Sequence, residues 1–266
     1  MLSIYRQLIV LLTLLLTLSL NPVVAAANPV LKIAVPEDFP PFYYRDNDGN
    51  FKGVSYEVAA HVCEKLGYDI EITQMPSMRL VLTALKEGYQ DMSINLTATE
   101  SRAEIAYFTK TPHVYESQHF IVRSDSQIDF DGELHDLADY RFGPIFGWTY
   151  GPKFDRATYL NKEFVNDSVQ QLKGLLSGRY DIAVNNPQYF SATASSLGVA
   201  EAFHLLDPAV ITLPVTMAVS RQYPDAKELA AALEKEIAQF VKEDAYRDIL
   251  ERHGFAAMQN VDKETL

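Results

Sequence analysis

Few side chains in this sequence could carry chemistry by themselves. There is one cysteine, Cys63, so neither an internal disulfide nor a Cys-x-x-Cys metal or redox motif can form. The six histidines, His61, His113, His119, His135, His204 and His253, include no close metal-ligating pair. The zinc motif His-Glu-x-x-His, the nucleophile elbow Gly-x-Ser-x-Gly, a Walker loop and Gly-x-Gly-x-x-Gly are all absent. The expectation is therefore no metal, no cofactor and no catalytic residue. Two matched polar positions stand out instead. Leu85-Lys86-Glu87-Gly88-Tyr89-Gln90-Asp91-Met92-Ser93-Ile94-Asn95 lines up with Leu175-Leu176-Ser177-Gly178-Arg179-Tyr180-Asp181-Ile182-Ala183-Val184-Asn185. Each reads as a helix end, a glycine cap, a turn closing on Asp, and a buried strand ending at Asn. Asn95 and Asn185 would then sit at the carboxyl ends of parallel strands, where open α/β sheets bind ligands.

The surrounding pattern supplies such strands. Leu31 to Val35 reads as a short strand, and Val54, Val58, Val62 and Leu66 form a helical stripe closed by Gly67. Cys63 lies on that stripe, as a buried, inert thiol would. Tyr68 to Ile72 alternates like a strand, Met78 to Lys86 is helical and closed by Gly88, and Met92 to Leu96 is a strand again. Strands alternating with helices point to parallel sheets built from βαβ units. With the repeat, this gives two related α/β lobes. The β-rich stretches His119 to Asp125 and Val215 to Arg221 flank the second repeat, so the chain is expected to cross near Ser124 and return near Leu213. Residues 28–123 and 214–266 would form lobe 1 and residues 124–213 lobe 2, with a two-strand hinge between them. A cleft between hinged lobes is a common small-ligand site. Leu229, Leu233, Ile237 and Val241 make Ala226 to Phe240 a helix that covers the core of lobe 1.

Charge narrows the partners. The chain has 266 residues and a formal net charge of −12, a field that repels nucleic acids and anionic lipid surfaces. Its first residues have the layout of a secretory signal peptide: Arg6, an apolar run from Leu8 to Leu20, the Asn21-Pro22 break, and small residues from Val24 to Ala27. The run is shorter than the roughly 18 residues of a spanning helix, so residues 1–27 are expected to be removed and the protein exported to the periplasm; an uncleaved anchor is the alternative.

At this point the residues carry a resemblance. Pro40-Pro41-Phe42, Asp48-Gly49, Gly53, Leu66-Gly67, Thr97-Ala98-Thr99-Glu100-Ser101-Arg102, Phe108-Thr109, Gly147-Trp148-Thr149 and Gly178-Arg179-Tyr180-Asp181 resemble the extracellular solute-binding proteins of bacterial polar amino-acid ABC transporters (family 3). The resemblance covers nearly all of the chain after the leader. It implies a two-lobed periplasmic-binding-protein-like (type II) fold, each lobe a mostly parallel sheet flanked by helices, which closes on a small solute and delivers it to a membrane permease. It implies that Arg102 pairs with the solute's carboxylate through its bidentate fork. Thr97 and Thr149 would donate hydroxyls to the same group, Phe39 would stack on the solute, and Met78 would lie opposite it.

The departures matter as well. The acid that in the family meets the solute's ammonium is replaced by Asn186, preceded by Asn185, and a further expected Asp is Ser55. An amide supplies no countercharge, so the carboxylate half of the site looks kept and the ammonium half does not. Arg79 and Trp148 are further candidates to read the rest of the solute. Three functions follow from the resemblance. The first is a monomeric binding protein, without catalysis, serving an ABC permease. The second is a cyclohexadienyl dehydratase-like enzyme on the same frame, for which Glu37 or Asp38 would have to act as the acid. The third is a sensory receptor signalling through a membrane partner.

Overall fold

A computed structural model describes residues 27–255, so the leader expected over residues 1–27 lies, apart from its last residue, outside the described residues. The first lobe begins with β1 (Val30–Val35) and a small ribbon, β2 (Tyr44–Arg45) with β3 (Phe51–Lys52). Helix α1 (Val54–Lys65), strand β4 (Asp69–Gln74), helix α2 (Met78–Glu87) and strand β5 (Met92–Leu96) follow, as the periodicity implied. β4, β1 and β5 lie side by side and parallel. Every residue of β5 is buried, which is why it reads as a continuous apolar run broken only by Ser93 and Asn95. Val54, Val58, Ala59, Val62 and Cys63 turn one face of α1 into the core. Burial pushes the Cys63 thiol up to about 12, leaving it un-ionised and unreactive at neutral pH.

A short helix, α3 (Glu100–Ala103), and β6 (Ala106–Phe108) lead into the long strand β7 (Val114–Arg123). The second lobe then forms from β8 (Arg141–Gly143), α4 (Gly151–Asp155), β9 (Asn161–Lys162), α5 (Ser168–Leu176), β10 (Ile182–Asn185) and α6 (Pro187–Ser196). β9, β8 and β10 are parallel, and β7 closes them antiparallel to β10. The chain returns through β11 (Phe203–Ser220), and α7 (Ala226–Phe240) and α8 (Asp244–Arg252) pack back on the first lobe. Leu229, Leu233 and Ile237 are buried there, with Val241 against the same core.

β7 and β11 belong to both sheets. They pair with each other from Val114↔Val215 to Gln118↔Ile211, and again from Phe120↔Leu206 to Arg123↔Phe203. From His119 onward β7 also pairs with β10, whereas β11 pairs with β5 and β6 from Thr216 onward. On this pairing the crossing falls near Gln118, ahead of the Ser124 expected from the sequence, and the return falls between Ile211 and Val215. The polar Ser124-Asp125 pair marks where an unbroken strand stops, not where it changes sheet.

One glycine anchors the loop that faces the second lobe. Gly53 precedes α1 at φ 112° and ψ 157°, a region only glycine occupies readily. A Cβ there would lie 2.4 Å from the Phe42 carbonyl oxygen. That close approach lets Val54 N–H donate to Pro41 O (3.0 Å) and Ser55 N–H to Phe42 O (2.8 Å), which pins the turn carrying Phe39 and Tyr43. Gly53→Ala should therefore cost about 3 kcal/mol or more in urea unfolding, from strain plus overlap with backbone. Gly49→Ala, at φ 83° with open space around it, should cost only about 1–2 kcal/mol.

Candidate functional site

Residues of both lobes line a cavity of about 30 Å³: Phe39, Tyr43, Met78, Asn95, Leu96, Thr97, Arg102, Glu116, Trp148, Thr149 and Leu213. That is room for little more than a water molecule. The wall shares Thr97, Thr149 and Leu213 with an adjoining groove of about 520 Å³, bordered by Thr99, Ser101, Pro152 and Asp155. A groove of that size suits a small solute.

Arg102 is placed by a local signal. Thr99 is the N-cap of α3, and its hydroxyl accepts from the Arg102 backbone N–H at 3.2 Å. The side chain, 6% exposed, then reaches both lobes: Nη1 donates to Thr97 O (2.8 Å) and Nη2 to Gly147 O (2.8 Å). Burial pulls the guanidinium down to about 10, against Asp155 and Glu116, whose charges raise it, so it stays a cation at neutral pH. Two of its five N–H donors are used, and the others remain for a carboxylate. The Thr97 hydroxyl donates to Pro214 O (2.9 Å), tying the arginine turn to β11, and the Thr149 hydroxyl donates to Asp155 (2.5 Å).

Aromatic rings close the cleft. Phe39 lies edge-on to Trp148 (5.1 Å between centroids) and to Tyr189 (4.6 Å), while Trp148 and Tyr189 stack at 5.8 Å. Trp148 packs against cores of both lobes. Glu37, from the first lobe, accepts from the Tyr189 hydroxyl (2.5 Å) and from Ser168 N–H (3.2 Å) at the start of α5. Burial raises the Glu37 carboxyl above its usual range, and those two bonds act against it. This carboxylate, weighed from the sequence as a possible acid, is a cross-lobe contact. Asp38 meanwhile accepts from Arg45 N–H and the Gln74 amide.

Seven of the residues singled out from the sequence thus meet at one wall: Arg102, Thr97, Thr149, Phe39, Met78, Asn95 and Trp148. Asn185, Asn186 and Arg79 do not. Asn186 is the N-cap of α6, with Pro187 in the first turn. Its Oδ1 accepts from Tyr189 N–H (3.0 Å) and its Nδ2 donates to Ser117 O (3.2 Å). Asn185 donates to Gln171 Oε1 (2.7 Å) and accepts from Asn186 N–H (2.7 Å). Both amides are therefore engaged in holding the second lobe together. Arg79 is exposed on α2. Ser55, the other departure, donates to Asn95 Oδ1 (2.6 Å) and contacts His113 Nε2 (2.9 Å). Burial lowers His113 to about 3, so this network is neutral.

One residue on the wall was not foreseen. Glu116 lies on β7, whose alternating pattern buries Val114, Glu116, Gln118 and Phe120 on one face. It is 7% exposed and accepts from the Gln118 amide. Among the described residues, Arg102 and Glu116 are the charged side chains on the cavity wall, and no ion pair joins them. Burial pushes the Glu116 carboxyl up to about 8, with Arg102 and Gln118 acting in the opposite sense. The period-two alternation was the available signal, had the strand been read from Val114 instead of His119. Among the described residues, no group of His, Cys, Asp or Glu is arranged to hold a metal.

Comparison with known proteins accords with this geometry. The profile of the bacterial extracellular solute-binding proteins, family 3, matches residues 31–256. The arginine-binding extracellular protein ArtP of Bacillus subtilis is 30% identical over 158 residues, covering 55% of this chain and 57% of ArtP. The virulence sensor protein BvgS of Bordetella pertussis is 28% identical over 108 residues, 41% of this chain and 9% of BvgS. The chain thus matches little over half of the first relative and a small part of the second. A histidine kinase sensor domain with similarity to periplasmic binding proteins superposes with a TM-score of 0.73 at 20% identity, covering 85% of this chain and 96% of that one. At that identity the likeness speaks for the fold.

The buried Glu116 makes stability depend on pH. Its folded value, about 8, lies above the ordinary 4.5, so the folded state holds the proton more tightly. The resulting stabilisation is complete below about pH 4.5 and is lost as pH rises through about 8. Glu116→Gln removes that dependence. Its unfolding free energy should match the parent's near pH 4.5 and exceed it increasingly as pH rises to about 8, levelling off above that, by a difference on the order of a few kcal/mol.

Proposed function

Because the chain belongs to the bacterial extracellular solute-binding proteins of family 3, we propose that it is an exported receptor for a small carboxylate-bearing solute, an amino acid or a related compound. The solute is held between the lobes and passed to an ABC permease. The observation that carries this reading is the buried Arg102 fork, a cation at the junction of both lobes with donors left for a carboxylate. A solute that contacts both lobes at once favours the closed arrangement, as a hinge protein requires. The reading includes no catalysis, because Glu37 is engaged with Tyr189 and Ser168. Export rests on the leader-like sequence over residues 1–27.

A second reading, signalling to a membrane sensor, is favoured by the stretch shared with BvgS and by the likeness to a kinase sensor domain. The two readings use the same cleft and differ in the membrane partner.

A thermal-shift screen over amino acids, keto acids, dicarboxylates and small peptides should supply a ligand. Arg102→Ala should then weaken its binding by about 2–5 kcal/mol, roughly 30-fold or more in dissociation constant, by leaving a desolvated carboxylate unpaired. Arg102→Lys should also weaken it, because a point charge cannot reproduce the fork. Small-angle scattering should show a smaller radius of gyration at saturating ligand, and mass spectrometry should recover the ligand unchanged.

A further inference from the structure

Among the described residues five carboxyl groups, Glu37, Asp38, Glu100, Asp155 and Glu116, stand about the cleft, and four are already engaged, Glu100 with Arg156 at the rim. Glu37 accepts from Tyr189 and Ser168 across the lobes. Asp38 accepts from Arg45 and Gln74 beside the β2–β3 ribbon. Asp155, exposed on the outer groove, accepts from the Thr149 hydroxyl and from Tyr150 N–H with separate oxygens. Glu116 differs. It is buried on the cavity wall, the Gln118 amide bonds its Oε1, and among the described residues nothing donates to its Oε2. Tyr43, Asn95 and Arg102 line the same small space. Arg102 acts on it from a distance and not as a partner.

We infer that Glu116, on the hinge strand, is the countercharge for the solute's α-ammonium, so the cleft takes an amino-acid zwitterion with its carboxylate toward Arg102 and its nitrogen toward Glu116. The inference rests on the function proposed above and narrows its ligand class. It answers the departure at Asn186: the amide there caps a helix, and the negative charge comes from the strand that links the lobes. A buried acid without a cation is unfavourable, which is why Glu116 holds its proton to about 8. An arriving ammonium offsets that desolvation and expels the proton. Carboxylate and ammonium borne on one carbon suit a wall whose two charges have opposite sign; the space between them holds little more than a water molecule, so the lobes would have to part to admit the solute.

The test is calorimetry on the full chain with the twenty common L-amino acids, followed by the desamino analogue of the tightest binder, in which hydrogen replaces the α-amino group. The amino acid should bind about 100-fold more tightly than its analogue. In Glu116→Gln that gap should fall below about 10-fold, whereas Arg102→Lys should weaken both compounds alike. An analogue that binds the parent protein as well as the amino acid overturns the role of Glu116 and leaves the carboxylate reading standing. A full gap retained in a folded Glu116→Gln assigns the nitrogen elsewhere and also overturns it. Binding of neither series overturns both readings. If Glu116→Gln does not fold, buffers of different ionisation enthalpy decide. Near neutral pH the parent should release close to one proton on binding the amino acid and none on binding the analogue; equal release for the two compounds refutes the inference.

Discussion

A buried guanidinium organises this molecule. Taking the Arg102 cation out of water is costly unless its donors are met, and here two are met by carbonyls that come from different lobes, Thr97 O and Gly147 O. Local features serve that arrangement. Thr99 caps the short α3 and sets the direction of the side chain. The Thr97 hydroxyl ties the same turn to the returning strand. Gly147, at φ 87°, lets the second lobe approach α2 so closely that a Cβ would lie 3.3 Å from Arg79 N. A side chain at that position would hold the carbonyl away from the guanidinium.

The closing surface has an ordered division of labour. Phe39, Trp148 and Tyr189 supply apolar area and ring geometry at its centre. Glu37 supplies a half-buried polar contact beside them. The Arg156–Glu100 pair at the rim is solvent-exposed, and such pairs contribute little. Beneath all of this run β7 and β11, paired to each other on both sides of the crossing. Residues on a pivot move less than residues on a rim when two bodies turn about it. On the hinge closure proposed above, Glu116 and Leu213 would form a comparatively constant floor, and Trp148 and Thr149 would travel with the second lobe.

Much of the scaffold was legible from local physics. The stripe Leu229, Leu233 and Ile237 marked α7, and the glycines closing α1 and α2 adopt the left-handed backbone that such stops need. β5 declared itself by an apolar run of strand length. The Asn186-Pro187 pair carried two meanings, and the local one, a helix cap followed by a first-turn proline, is what the fold uses. Read as a lost binding acid, the same asparagine pointed to a solute without an ammonium, or to one whose ammonium is held differently.

Sequence by itself determined the elements, their order and the arginine-bearing turn, because caps, stops and periodicity act over a few neighbouring residues. It could not determine which of those elements would share a wall. Phe39, Arg102, Glu116 and Trp148 are far apart along the chain, and they converge only because β7 and β11 cross between two sheets and bring the strand ends face to face. For the same reason it could show that an acid was missing at Asn186 but not that Glu116 lay on the cavity wall. Charge complementarity in a cleft is a through-space property, and only the packed chain sets those distances.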